Sequence, residues 1–272
     1  MTVTDHATAA AVRSITTSRG ITSDVLVFGP DGAPPVVAFH GVGGHLGGEP
    51  TLAALGDRFQ VFAPVWPGFG PAGGEELLED MLDFALHGAD VVVALGLERP
   101  HVYGHSFGGM VAAEMVAISP ASYGSVALVA PAGVWIDEEP IADIYAMLPY
   151  ELPGYLFHDP EADAAVLTGG VDFEDADALK AFMIANSRRL GTAGKILFPI
   201  PNRRLSKRLY RVTNPVTLVW GVSDRLIPPS YAERWQQLVP HADLATIADA
   251  GHMAPYEQPA AVAAAVATAL GG

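Results

Sequence analysis

The sequence contains no cysteine, which removes thiol nucleophiles, thiolate metal sites and disulfides from consideration and fits a reducing compartment. Positive charge is scarce: 15 Lys and Arg stand against 30 Asp and Glu, a formal net charge of −15. A surface that negative repels phosphate backbones, so nucleic acid is not an expected partner. No stretch approaches the roughly 20 apolar residues of a membrane span. The opening stretch MTVTDHATAAAVRS has neither the basic nor the apolar region of a secretory signal. The expectation is a cytoplasmic protein with no membrane partner. Nor do His, Asp and Glu cluster at ligand spacings, so no metal and no organic cofactor is expected.

What is present suffices for a sizeable core, because half of the 272 residues are apolar. Segments rich in β-branched and aromatic residues alternate with helical periodicity, the pattern of a mostly parallel sheet with crossover helices. Val12 to Thr17 and Ile21 to Phe28 read as an antiparallel hairpin around Ser18-Arg19-Gly20. Pro35 to His40 is a near-continuous apolar run, as expected of a strand buried on both faces, and Phe59 to Val65, His101 to Tyr103, Ser125 to Val129 and Val216 to Trp220 repeat it. Helices are expected at Pro50 to Arg58, Glu75 to Leu95, Phe107 to Ile118, Tyr231 to Leu238 and Pro259 to Leu270. Composition shifts at Pro131 and back at about Thr213, with prolines at 140, 149, 153, 160, 199 and 201 punctuating short helical pieces between. This predicts a helical cap over 131–212, inserted into a core made of 1–130 and 213–272.

Gly104-His105-Ser106-Phe107-Gly108 fits G-x-S-x-G and stands between the apolar run HVY and the helix FGGMVAAEMVAI. A sharp strand-to-helix turn there would expose the Ser106 hydroxyl above the sheet, with a helix N-terminus under any oxyanion that forms. His105, as its neighbour, should point away from substrate. Two backbone donors are needed for an oxyanion. Phe107 N–H is one candidate, and Val42 N–H, in His40-Gly41-Val42-Gly43-Gly44, is the other. A glycine-rich phosphate cradle is the alternative reading of that loop, but no Gly-Lys-Ser/Thr follows. His252, in a loop after the run Leu244 to Ile247, is the candidate base. Asp224, in GVSDR after VTLVWG, is the candidate orienting carboxylate, with Asp249 as the alternative.

The blocks HGVGG, GHSFGG, GVSDRLIP and AGHMAPYEQP resemble, in that order and over nearly the whole chain, the motifs of the α/β-hydrolase fold superfamily. The resemblance implies an α/β fold with an eight-stranded, mostly parallel sheet, helices on both faces and an inserted helical cap. It implies Ser106 as nucleophile, His252 as base, Asp224 as orienter, and Val42 and Phe107 as oxyanion donors. A Ser nucleophile argues against haloalkane dehalogenases and epoxide hydrolases.

Substrate choice is carried by the cap. Its second half is basic (Arg188, Arg189, Lys195, Arg203, Arg204, Lys207, Arg208, Arg211) and its first half acidic (Asp137, Glu138, Glu139, Asp143, Asp159, Glu161, Asp163). The two sets can pair with each other on solvated faces. Alternatively, Arg188 or Arg189 reaches inward to a substrate carboxylate. His40, which can instead shape its loop, Gly41 and Met253 are further candidate substrate contacts. The chain also resembles the lidded meta-cleavage product hydrolases, which cut carbon-carbon bonds in anionic dienoates. It departs from them at His105, where Asn is common, and at Met253, where Trp is common. Those departures favour a small, largely apolar carboxylic ester or lactone as substrate. A non-catalytic ligand-binding member of the fold is the reading from a different class.

Overall fold

The computed structural model describes residues 11–46, 49–197 and 204–271. β1 (Ala11–Thr16) and β2 (Thr22–Phe28) form the expected antiparallel hairpin, with Ala11 opposite Val27 and Thr16 opposite Thr22. β3 (Pro35–Phe39), β4 (Gln60–Pro64), β5 (His101–His105), β6 (Val126–Val129), β7 (Val216–Gly221) and β8 (Asp243–Ile247) complete one eight-stranded sheet in the order β1-β2-β4-β3-β5-β6-β7-β8. β2 meets β4 antiparallel, and every pairing from β4 through to β8 is parallel.

Strand periodicity explains the layers, because successive side chains leave a strand on opposite faces. Along β3, Val37 and Phe39 join a core with α2 (Met81–Ala94) and α3 (Phe107–Ile118). Val36 and Ala38 join the opposite core, built with α1 (Pro50–Leu55) and α9 (Pro259–Ala269). A strand sandwiched this way has no solvent face, which is why β3 reads as an unbroken apolar run.

The helix expected over Glu75 to Leu95 is divided. A 3-10 turn takes Glu75–Leu77, and α2 begins only at Met81. Asp80 causes the restart: its Oδ1 accepts the amides of Leu82 at 2.8 Å and Asp83 at 3.1 Å, an N-cap in extended backbone. The buried face shifts with it. Phe84, Ala85, Val91 and Val92 face inward, while Leu77 and Leu82 are exposed.

The described residues between β6 and β7 form helices and turns and no strand: α4 (Leu152–Leu156), α5 (Pro160–Asp163), α6 (Ala176–Leu197) and short 3-10 turns. Pro199, Pro201 and Arg203 lie outside the described residues. Three arginines of the basic half of this insertion turn to the core. Arg188 and Arg208 reach the core carboxylates Glu75 and Glu114, and Arg211 donates to the Ala117 carbonyl of α3. Charged groups on the core thus hold the second half of the insertion, because Glu114 is buried and needs a cation beside it. No helix among the described residues is long and apolar enough to cross a membrane. The remaining helices are α7 (Ser230–Leu238) and α8 (Ala254–Glu257).

Candidate active site

Ser106 stands between β5 and α3 with φ 52° and ψ −116°. Non-glycine residues rarely hold a positive φ, so the surroundings must enforce it. The flanking glycines supply that close packing. A Cβ on Gly108 would lie 2.3 Å from the Phe39 carbonyl oxygen, and one on Gly104 would lie 2.7 Å from Gly109 Cα. Helix and strand therefore approach too closely for any larger residue, and the turn between them must be sharp.

Three side chains from three strand ends then meet. His252 Nε2 lies 2.8 Å from Ser106 Oγ, and His252 Nδ1 lies 2.8 Å from Asp224 Oδ2. All three residues are buried. Asp224 Oδ1 accepts the amides of Leu226 at 2.9 Å and Ile227 at 2.8 Å, which fixes the carboxylate plane. A carboxylate that accepts Nδ1–H holds the ring in the tautomer whose Nε2 can take the Ser106 proton. Asp249 is not the partner: its carboxylate is mostly exposed and lies 3.8 Å from His158 Nε2.

His105, beside Ser106, turns under the His252 loop and donates Nε2–H to the His252 carbonyl at 2.9 Å. Burial drives its pKa down to about 3, so it stays neutral and anchors that loop without adding charge. The sequence had no signal for this bond beyond the histidine itself. Nor did it reveal Glu257, whose carboxylate accepts the Gly251 amide at 2.7 Å and the His158 amide at 2.6 Å. One oxygen holds the residue before His252 and the other holds the insertion just after α4. Met253 N–H donates to Leu156 O at 3.0 Å, and Arg225 Nη1 donates to the carbonyls of Gly154 and Phe157. A Cβ on Gly251 would lie 2.6 Å from the Leu156 carbonyl, so this seam closes only over glycine.

Above Ser106 lies a cavity of about 650 Å3. Gly41, Val42, Ser106, Arg189, His252 and Met253 all line it. Two expected contacts are corrected. His40 is fully buried, donates Nδ1–H to Gly41 O at 2.8 Å and accepts the Trp66 amide at 3.2 Å, so it braces the loop and does not reach the cavity. Arg188 turns away to Glu75 and to the carbonyls of Gly70 and Ala72, because the carboxylate and the two carbonyls there accept four hydrogen bonds from its guanidinium. Arg189, one residue on, points the other way round the helix. Its Nε donates to Asn186 Oδ1 at 2.9 Å and its Nη1 to Gly43 O at 3.0 Å, and its guanidinium lies over the Phe182 ring. Among the described residues no group of His, Asp and Glu could hold a metal ion.

Known proteins share this architecture. The dihydrolipoyllysine-residue acetyltransferase component of the acetoin cleaving system of Cupriavidus necator is 28% identical over 240 residues, covering 84% of this chain and 61% of that protein. This chain therefore spans less than two thirds of that relative. A 2-hydroxy-6-oxononadienedioate/2-hydroxy-6-oxononatrienedioate hydrolase of Pseudomonas putida is 26% identical over 248 residues, covering 84% of each chain. The solved structure of a membrane phospholipase A described as a bacterial virulence factor superposes with a TM-score of 0.77 at 22% identity, covering 97% of this chain and 86% of the other. Residues 36–265 match the sequence profile of one family, a span that runs from β3 into α9 and takes in Ser106, Asp224 and His252. The chain belongs to the alpha/beta hydrolase family.

Proposed function

We propose that the protein is a serine hydrolase that cleaves carboxylic esters through an acyl-enzyme. The observation that carries this reading is the unbroken hydrogen-bond path from Ser106 Oγ through His252 to Asp224 at the floor of the cavity. His252 Nε2 takes the Ser106 proton as Oγ attacks the acyl carbonyl, and Asp224 steadies the imidazolium that forms. The amide N–H of Phe107, at the start of α3 and therefore without an intrahelical partner, and that of Val42 donate to the oxyanion. His252 then protonates the leaving alcohol, and water attacks the acyl-enzyme with His252 again as base. The segment 131–212 acts as the cap that covers this chemistry.

Purified Ser106→Ala should lose p-nitrophenyl ester hydrolysis by a factor of at least about 10³ while keeping the wild-type melting temperature. Retained turnover in that variant sinks the proposal. A second reading, carbon-carbon hydrolysis of an anionic dienoate, is favoured by one observation. Arg189 brings a cation to the cavity wall, and among the described residues its hydrogen-bond partners are Asn186 Oδ1 and Gly43 O. Turnover of a meta-cleavage dienoate without ester turnover decides for it.

A further inference from the structure

The cavity is larger than a small acyl or alcohol group requires. At about 30 Å3 per water-sized group, its 650 Å3 holds about 20 non-hydrogen atoms. Its wall also has a consistent character. Its buried part is formed by Met110, Val134, Leu226 and Ile227. Ile144 and Leu152 of the insertion, half-buried, also line it, as do the exposed side chains of Tyr150, Phe173 and Met183. Among the described residues no Asp, Glu or Lys lines it, and its ionisable groups apart from tyrosines are His105, His252 and Arg189. His105 stays neutral, and Arg189 is bound to Gly43 and Asn186 at one side of the space. Apolar walls of this extent contribute binding in proportion to the apolar surface they cover, and a short acyl group would leave most of them against water.

We propose that the substrate is an ester with a long unbranched apolar chain, with a preferred length of about eight to twelve carbons, which runs from Ser106 along the insertion to the Tyr150, Phe173 and Met183 mouth. This rests on the serine ester hydrolase reading. The exposed apolar side chains at the mouth then have a role, since a chain longer than the cavity leaves across them. The small group expected from the sequence alone would fill only part of this volume. Apolar lid residues can be recognised in a sequence, but the distance between them cannot.

The test is kcat/KM for p-nitrophenyl esters from acetate to hexadecanoate, below their micellar concentrations. The expected result is a rise of roughly 100-fold or more from acetate to the decanoate, each buried methylene adding to transition-state binding. Ile144→Trp, which fills the middle of the path, should move the maximum to six carbons or fewer. A profile that is highest at acetate or butanoate overturns the chain-length proposal and leaves the ester hydrolase reading intact. No hydrolysis at any length, together with no labelling of Ser106 by a fluorophosphonate, overturns the parent reading. Titration of Ser106→Ala with dodecanol by calorimetry then reads the cavity by itself. Binding at the micromolar level supports the apolar channel, and its absence overturns it.

Discussion

Ser106 holds a positive φ because the glycines on either side let β5, α3 and the end of β3 crowd around it. Gly108→Ala would put a methyl group 2.3 Å from the Phe39 carbonyl oxygen, where neither backbone can yield without moving the sheet. We expect it to destabilise the protein by about 3 kcal/mol, measured by chemical denaturation. A loss below about 0.5 kcal/mol, the range of an ordinary surface change, would show that the contact is looser than described. The pattern G-x-S-x-G was legible because its residue types report backbone geometry. Asp224 and His252 were legible because a strand-like run ends just before each. Arg188 and Arg189 were not separable by eye. They are neighbours about 100° apart on a helix, and only the position of Glu75, far away in sequence, decides which one turns inward.

At the scale of elements, the loop carrying His252 is tied to the end of α4 as closely as to its own strand. Glu257 joins the two through paired amides, and burial raises its carboxyl above the usual range. Glu257→Gln keeps the size but offers an N–H to one of two N–H donors. We expect kcat to fall about tenfold at pH 7, with KM changed less, and Glu257→Asp to recover part of it. A variant that merely lost stability would show a lower melting temperature with unchanged kcat for the folded fraction, and that outcome would deny Glu257 a positioning role. Most elements could be read from periodicity. The failure at α2 came from Asp80, which looks like any polar residue in a helical stretch yet caps one by competing for its first amides. The insertion was readable as helical. Its attachments were not, because Arg188, Arg208 and Arg211 reach carboxylates and a carbonyl of the core that lie far away in sequence.

For the whole molecule, three buried histidines set the response to acid. His105 is held at about 3, His87 at about 4 and His40 well below its ordinary value, in each case chiefly by desolvation. The unfolded chain takes up protons at these imidazoles below about pH 6.5, whereas the folded chain does not until much lower. The unfolded state therefore binds more protons through that window, and stability falls as the pH falls from about 6.5 towards 4. His105 and His87 should each account for about 2 kcal/mol of that loss by pH 5, and His40 acts in the same direction. Denaturant midpoints at pH 7.5 and pH 5 check this, and the His87→Phe variant should show a smaller difference between them than wild type. An equal midpoint at both values would mean that these rings are solvated.

Two of the insertion's attachments to the core flank the cavity. Leu156 to His158 are held by the loops of Asp224 and His252, while α6 is held by Glu75 and Gly43. The cavity lies between these fastenings. A guest that fills it would touch the segments on both sides, and so would brace two parts of the insertion against each other. The residence time of such a guest and the mechanical stiffness of that part of the insertion would then be one property.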